Sequence, residues 1–182
     1  MALRYEFRLS GSGGQGLILA GKIMAEAAAI YDGKNATQSQ SYGPEARGGS
    51  SRSEVIVSDE EIDYPKAVNI DLLLAFTQEA CDKYAKDLKD SGILLVDSNY
   101  VLKVPQGKYK IVSLPITELA EKETGKSLVA NILSLGVIIE LTKVISPESM
   151  ESAILSRVPK GTEDLNIKAF RAGIKAAQQI KH

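Results

Sequence analysis

The stretch Tyr5–Tyr31 limits the possible folds more than any other part of the chain. Apolar residues alternate through Tyr5, Phe7 and Leu9, the period of a strand. Gly11-Ser12-Gly13-Gly14-Gln15-Gly16 follows, and Leu17–Tyr31, rich in Ala, Leu, Ile and Met, then reads as a helix. Strand, glycine turn and helix in that order are the context in which a G-x-G-x-x-G spacing binds phosphate. Gly11 would permit the tight turn, Gly13 and Gly14 would let a ligand approach the backbone, and Gly16 would let the helix sit close to the sheet. The N–H groups at the helix start then form an anion site, with phosphate or pyrophosphate its natural occupant. The alternative is a turn that serves packing alone.

A nicotinamide dinucleotide needs a further group. Its ribose is held by Asp or Glu about 20 residues on, at the end of the second strand. The second strand reads as Lys34–Gln38, and its end offers Thr37, Gln38 and Ser39, while Asp32 precedes it. The phosphate loop stands, and the dinucleotide reading is weak.

After that strand, Ser39–Ser51 has no periodicity, and its Gly-Pro and Gly-Gly pairs mark a loop. Loops of this length inside a domain are uncommon unless they are functional. In a parallel sheet it would leave the carboxyl end of the second strand beside the Gly13–Gly16 turn, where open α/β sheets bind ligands. Ser41, Tyr42, Glu45, Arg47, Gly48 and Gly49 are its candidate contacts. The bland alternative is a solvated loop whose Arg47 pairs with Glu45.

Further strands are expected at Arg52–Ser58, Ile70–Phe76, Ile93–Asp97 and Lys110–Leu114, with helices over Gln78–Leu88, Pro115–Glu123, Asn131–Ile145, Pro147–Arg157 and Glu163–Lys181. This alternation predicts a single α/β domain over residues 1–182, a mostly parallel sheet with helices on both faces and a helical C-terminal third. Gly125-Lys126-Ser127 looks like the end of a P-loop. Ala120 stands where that motif needs glycine, and a helix precedes it, so the match is rejected. Asp97 ends a buried strand and reads as well as a cap as it does a ligand contact.

The inventory of reactive residues excludes several chemistries. Cys81 and His182 are the only cysteine and histidine, too few for an iron–sulfur cluster, a structural zinc site or a His-dependent triad. Cys81 reads as a buried structural thiol. A net charge of -1 gives no electrostatic case for nucleic acid or an anionic membrane. No apolar run reaches the roughly 20 residues of a membrane span, and the N-terminus lacks a signal-peptide profile, so a cytoplasmic location is expected.

Ser10–Gly16 (SGSGGQG), followed by Gln40–Gly49 (QSYGPEARGG) and SRSEVIVS, resembles the gamma subunit of 2-oxoacid:ferredoxin oxidoreductases, and Gly125–Gly136 extends the likeness. Tyr42–Gly49 looks like the 2-oxoglutarate and branched-chain types, and 2-oxoglutarate is favoured. The resemblance implies a Rossmann-like domain in a complex that converts a 2-oxoacid and coenzyme A to acyl-CoA and carbon dioxide while reducing ferredoxin. Thiamine diphosphate, Mg2+ and the iron–sulfur clusters are then expected in alpha, beta and delta subunits, with no cofactor bound by this chain alone. The isolated chain is expected to be inactive and able to form a homodimer. Its role would be auxiliary. The turn (Gly11, Gly13, Gly14, Gln15, Gly16) and the Ser41–Gly49 loop would shape the coenzyme A entrance. A stand-alone nucleotide- or CoA-binding protein and a purely structural subunit are the competing readings.

Overall fold

The computed structural model describes residues 2–42 and 50–180, the side chain of Tyr42 excepted. Six strands form one sheet among these residues: β1 (Arg4–Ser12), β2 (Asn35–Tyr42), β3 (Ser50–Ser58), β4 (Ile70–Ala75), β5 (Leu88–Asp97) and β6 (Lys110–Leu114). Their order is β2-β3-β1-β4-β5-β6. The pairs β1–β4, β4–β5 and β5–β6 are parallel.

The β2–β3 pair departs from a purely parallel arrangement. β3 lies antiparallel to both β2 and β1 and fills the place between them. A parallel return needs a crossover of a dozen or more residues, and only residues 43–49 separate β2 from β3. A hairpin is what that length allows. β2 also runs four residues past the expected end at Gln38, so Ser39–Tyr42, Ser50 and Ser51 belong to strands rather than to a loop. β2 still points the same way as β1, so it ends at the edge that carries the glycine turn.

Six α-helices cover the sheet among the described residues: α1 (Leu17–Glu26), α2 (Gln78–Tyr84), α3 (Ile116–Thr124), α4 (Ala130–Thr142), α5 (Pro147–Arg157) and α6 (Glu163–Gln178). A wider π-type turn, Ala27–Tyr31, continues α1. The two faces are unequal. Phe7, Leu9, Val55, Leu72 and Leu74 meet a thick layer that includes α1, α3, α4, α5 and α6. Ile56, Leu73, Leu94 and Val96 meet α2 and its flanking segments. α4 is buried at every position from Ala130 to Ile139, as a helix apolar all round must be. No helix among the described residues is long and apolar enough to cross a membrane.

α4 and α6 touch backbone to backbone. A Cβ on Gly136 would collide with the Phe170 carbonyl oxygen, and one on Gly173 with the Leu133 carbonyl oxygen. At α5, Asp32 accepts hydrogen bonds from Ser146 N (2.9 Å), Ser146 Oγ (2.8 Å) and Ser149 Oγ (2.5 Å). It thus ties the end of the first helical segment to the N-terminus of α5, where a negative charge is also favoured. Burial pushes the Asp32 carboxyl up, but the bonds from Ser149 and Ser146 and the nearby Lys34 charge outweigh it and hold the carboxyl below its ordinary value.

Two outcomes follow from these contacts. Gly173→Ala should cost about 3 kcal/mol by overpacking against backbone, lowering Tm by roughly 6–12 °C in calorimetry. Asp32 is more acidic folded than unfolded, so its contribution is complete above the unfolded carboxylate pKa of about 3.9 and disappears as pH falls through the lower folded value. Urea melts of Asp32→Asn should therefore show a stability deficit at neutral pH that shrinks towards pH 2.

Candidate functional site

The carboxyl ends of β1, β4, β5 and β6 meet on one edge of the sheet, and β1 lies near its middle. The turn after β1 is shaped from within. Gln15 folds back so that its Oε1 accepts the Ser12 N–H at 2.7 Å. Gly14 and Gly16 take left-handed backbone angles, φ 87° and 75°, which only glycine adopts without strain. Gly16 is the N-cap of α1, and no side chain caps the helix. The first amides of α1 therefore remain for water or for a ligand.

The role expected for Gly11 changes. It lies inside β1, paired with Ser51 of β3, and the tight turn begins after Ser12. A Cβ at Gly11 would run into Gln15 Oε1 and would stand 3.0 Å from Leu17 and 3.1 Å from Phe76. Gly11 makes room for the Gln15 side chain that closes the turn. Gly16 does the same for a residue that sequence reasoning missed. Asn131, in the first turn of α4, donates from Nδ2 to the Gly16 carbonyl at 3.0 Å, and a Cβ on Gly16 would collide with that amide. The signal was present, since Asn131 opens an otherwise apolar run.

Two cavities flank the turn. One, of about 190 Å³, lies between Gly14, Gln15, Phe76, Tyr100 and Thr117. The other, of about 290 Å³, is largely apolar and opens between the turn and Leu19, Ile132, Val158 and Leu165. Leu128 borders both and is 79% exposed; Tyr100, which lines the smaller cavity, is exposed too, as is Leu102 two residues on. The arrangement suits an elongated ligand with an anionic end for the backbone amides and an apolar stretch for the larger cavity.

Asp97 has a structural use. Its Oδ1 accepts from Asn99 N at 3.1 Å, and its Oδ2 accepts from Thr117 N at 3.2 Å and Thr117 Oγ1 at 2.5 Å. The carboxylate caps the start of α3, and it is fully buried. Gly125 ends α3 as a left-handed cap, so Gly125-Lys126-Ser127 does not follow a strand. Cys81 is buried, and burial, with Asp82 beside it, pushes its thiol up to about 11. No group of three or more His, Cys, Asp or Glu gathers among the described residues in a way that could hold a metal ion.

The second predicted segment is brought to the turn at both ends. Ser41 and Tyr42 close β2 opposite Arg52 and Ser51, and Ser51 in turn faces Gly11. Ser10 Oγ donates to the Ser51 carbonyl at 3.1 Å. Glu45, Arg47, Gly48 and Gly49 lie outside the described residues, as does His182. Across the sheet, on the α2 face, a charged cluster holds β3. Arg8 donates to Asp87 Oδ2 at 2.7 Å and to Glu54 Oε2 at 3.2 Å, and Arg52 lies 3.2 Å from Glu54 Oε1. Both guanidinium groups sit over the Tyr84 ring, at 4.9 and 5.5 Å from its centroid.

Comparison with known proteins adds an independent line. Residues 6–176 match the family model described as pyruvate ferredoxin/flavodoxin oxidoreductase. The chain is 51% identical to the 2-oxoglutarate synthase subunit KorC of Methanocaldococcus jannaschii, over 98% of this chain and 96% of that protein. It is 47% identical to the subunit of the same name from Methanothermobacter marburgensis, over 94% and 95%. Among solved structures, the gamma subunit of a keto/oxoacid ferredoxin oxidoreductase from Geobacter sulfurreducens superposes with a TM-score of 0.87 at 56% identity, over 97% of this chain and 99% of that one. The glycine turn, the sheet that carries it and near full-length similarity agree: the chain belongs to the pyruvate ferredoxin/flavodoxin oxidoreductase family, among its gamma-type subunits.

Proposed function

We propose that this chain is the gamma subunit of a 2-oxoglutarate:ferredoxin oxidoreductase, as a single domain located in the cytoplasm. The complex would oxidatively decarboxylate 2-oxoglutarate with coenzyme A and pass the electrons to ferredoxin. Similarity over almost the whole length to two 2-oxoglutarate synthase subunits supports the choice of substrate. The carbanion chemistry and the electron transfer need thiamine diphosphate with Mg2+ and iron–sulfur clusters. The donor set here does not fit those groups: the chain has one cysteine and one histidine, and the described acidic residues form no metal cluster. Alpha, beta and delta subunits would carry them.

The observation that supports a role for this chain is the uncapped start of α1 opening beside an apolar cavity of about 290 Å³. Coenzyme A has both matching parts, phosphates and a long, weakly polar arm. In this reading the Gly13–Gly16 backbone amides bind a phosphate. Gln15 has its Oε1 engaged with Ser12, and its amide NH2 orients a polar group of the ligand. Ser41, Tyr42, Glu45, Gly48 and Gly49 shape the entrance, and Arg47 supplies a fixed positive charge for a phosphate or carboxylate. The chain performs no bond-breaking step itself. It binds, orients and excludes water.

The test uses the whole complex, purified without oxygen and assayed by viologen reduction. With the unaltered complex, 2-oxoglutarate should outperform pyruvate. With Arg47→Ala, loss of a charge-assisted bond of about 1.5 kcal/mol should raise the apparent KM for coenzyme A about tenfold, with iron and thiamine content unchanged. A coenzyme A dependence that does not move would remove Arg47 from the site.

A further inference from the structure

The two edges of the sheet are built differently. β6 is five residues long, begins at Lys110 and follows Lys108 closely. Short, lysine-bearing strands resist pairing with other chains. β2 runs for eight residues, NATQSQSY, without a charge or a proline. Its register against β3 is unbroken from Asn35 to Tyr42, so no bulge turns the edge away. No strand lies beyond it among the described residues. In an antiparallel ladder every second residue turns its N–H and C=O away from its neighbour. β2 therefore presents a row of backbone donors and acceptors with no charge, proline or bulge inside the strand. Lys34 precedes it, and the Ser39 carbonyl accepts from Gln38 Nε2 at 3.3 Å, a bond that pairing would exchange. Ile30, 70% exposed, stands near its start and lines, with Ala36 and Gln38, an open groove of about 490 Å³.

We propose that β2 is an assembly edge whose occupant is β2 of a second copy of this chain, paired antiparallel about a two-fold axis normal to the sheet. An isologous contact of this kind sets the strand against itself, so a charged residue at its centre would meet its like. This strand has none. With the axis at Ser39 the side chains match in kind. Gln38 lies opposite Gln40 of the second copy, and Thr37 lies opposite Ser41 of the second copy: amide against amide, hydroxyl against hydroxyl. Within one chain, Gln38 Nε2 already donates to Gln40 Oε1 at 3.2 Å, and the pairing lengthens that row of amides across the interface. The sheet becomes continuous through both copies, and the undefended edges disappear. The pairing uses no residue of the Gly11–Gly16 turn. Ser41, which the proposed function places at the entrance, is shared by both readings, and the test reads the mass of the chain rather than ligand binding.

Sedimentation of the full chain from micromolar to millimolar concentration tests the pairing. The expected mass is twice 19.6 kDa. Combining Ser39→Lys with Gln40→Lys, both at exposed positions, should return the mass to that of one chain with an unchanged circular-dichroism spectrum. Ser39→Cys should give a disulfide-linked dimer on mild oxidation, because opposed Cα atoms in an antiparallel pair are about 4.5–5.5 Å apart and within disulfide reach. Cys81 is buried and should not compete. A wild-type chain that stays monomeric throughout, or a dimer that survives the two-lysine variant, overturns the proposal. Hydrogen-exchange protection of Asn35–Tyr42 that arises only when other subunits are added would assign the edge to a different chain and overturn it as well.

Discussion

The Asn131 amide reaches the Gly16 carbonyl from across the domain, and the candidate site depends on that reach. A glycine N-cap in the left-handed region leaves space that any side chain would close. α4 fills the space with a polar group whose own burial is compensated by the bond it makes. Because α4 is buried on all sides, it cannot drift from the turn without opening the core. Its contact with α6 runs through glycine to backbone, which fixes the distance between the two helices. Turn, α4 and α6 thus form one unit, and the larger cavity is the gap that unit leaves.

Much of this order was legible in the residues. The strand–turn–helix unit, the buried parallel strands and the helical C-terminal third follow from periodicity, since apolar runs of strand length and amphipathic helices bury predictably. The β2–β3 hairpin was harder to read. Asn35–Tyr42 carries little apolar alternation, because an edge strand buries little and is held by its backbone ladder, which leaves no mark on side-chain pattern. The task of Gly11 was hidden for a different reason. A glycine inside a strand can mean a turn or a close approach, and only the packing of Gln15, Leu17 and Phe76 decides between them. Asn131, placed 115 residues from its partner, shows the limit of local reading: a lone buried amide announces a bond without naming the acceptor.

The polar groups inside the protein divide into two kinds of work. Asp97 and Asp32 each pin a helix start to another element by several hydrogen bonds. Arg8 and Arg52 lie over Tyr84 and pair with Asp87 and Glu54, which secures β3. Within that cluster Arg8 Nε and Arg52 Nε are buried without a hydrogen-bond partner. The donors at the candidate site lie in the backbone at the start of α1, which no side chain caps, a fixed and pre-oriented set that would need no side-chain ordering to meet a ligand. Such a construction offers shape and dipoles rather than reactive side chains, in line with a composition of one cysteine and one histidine.

The junction of the turn with α4 and α6 also has a bearing on how the chain matures during synthesis. The ribosome makes the strand, the turn and α1 first, and they can form as a local unit while the rest is still being translated. Their helical cover is encoded much later, with Asn131 and then Leu165 and Asn166 closing the far wall of the cavity. Until α6 emerges, the apolar side of the turn has no lid. The nascent chain would therefore leave the apolar side of the turn open until α6 is made, and the larger cavity exists as an enclosed space only once that helix has docked.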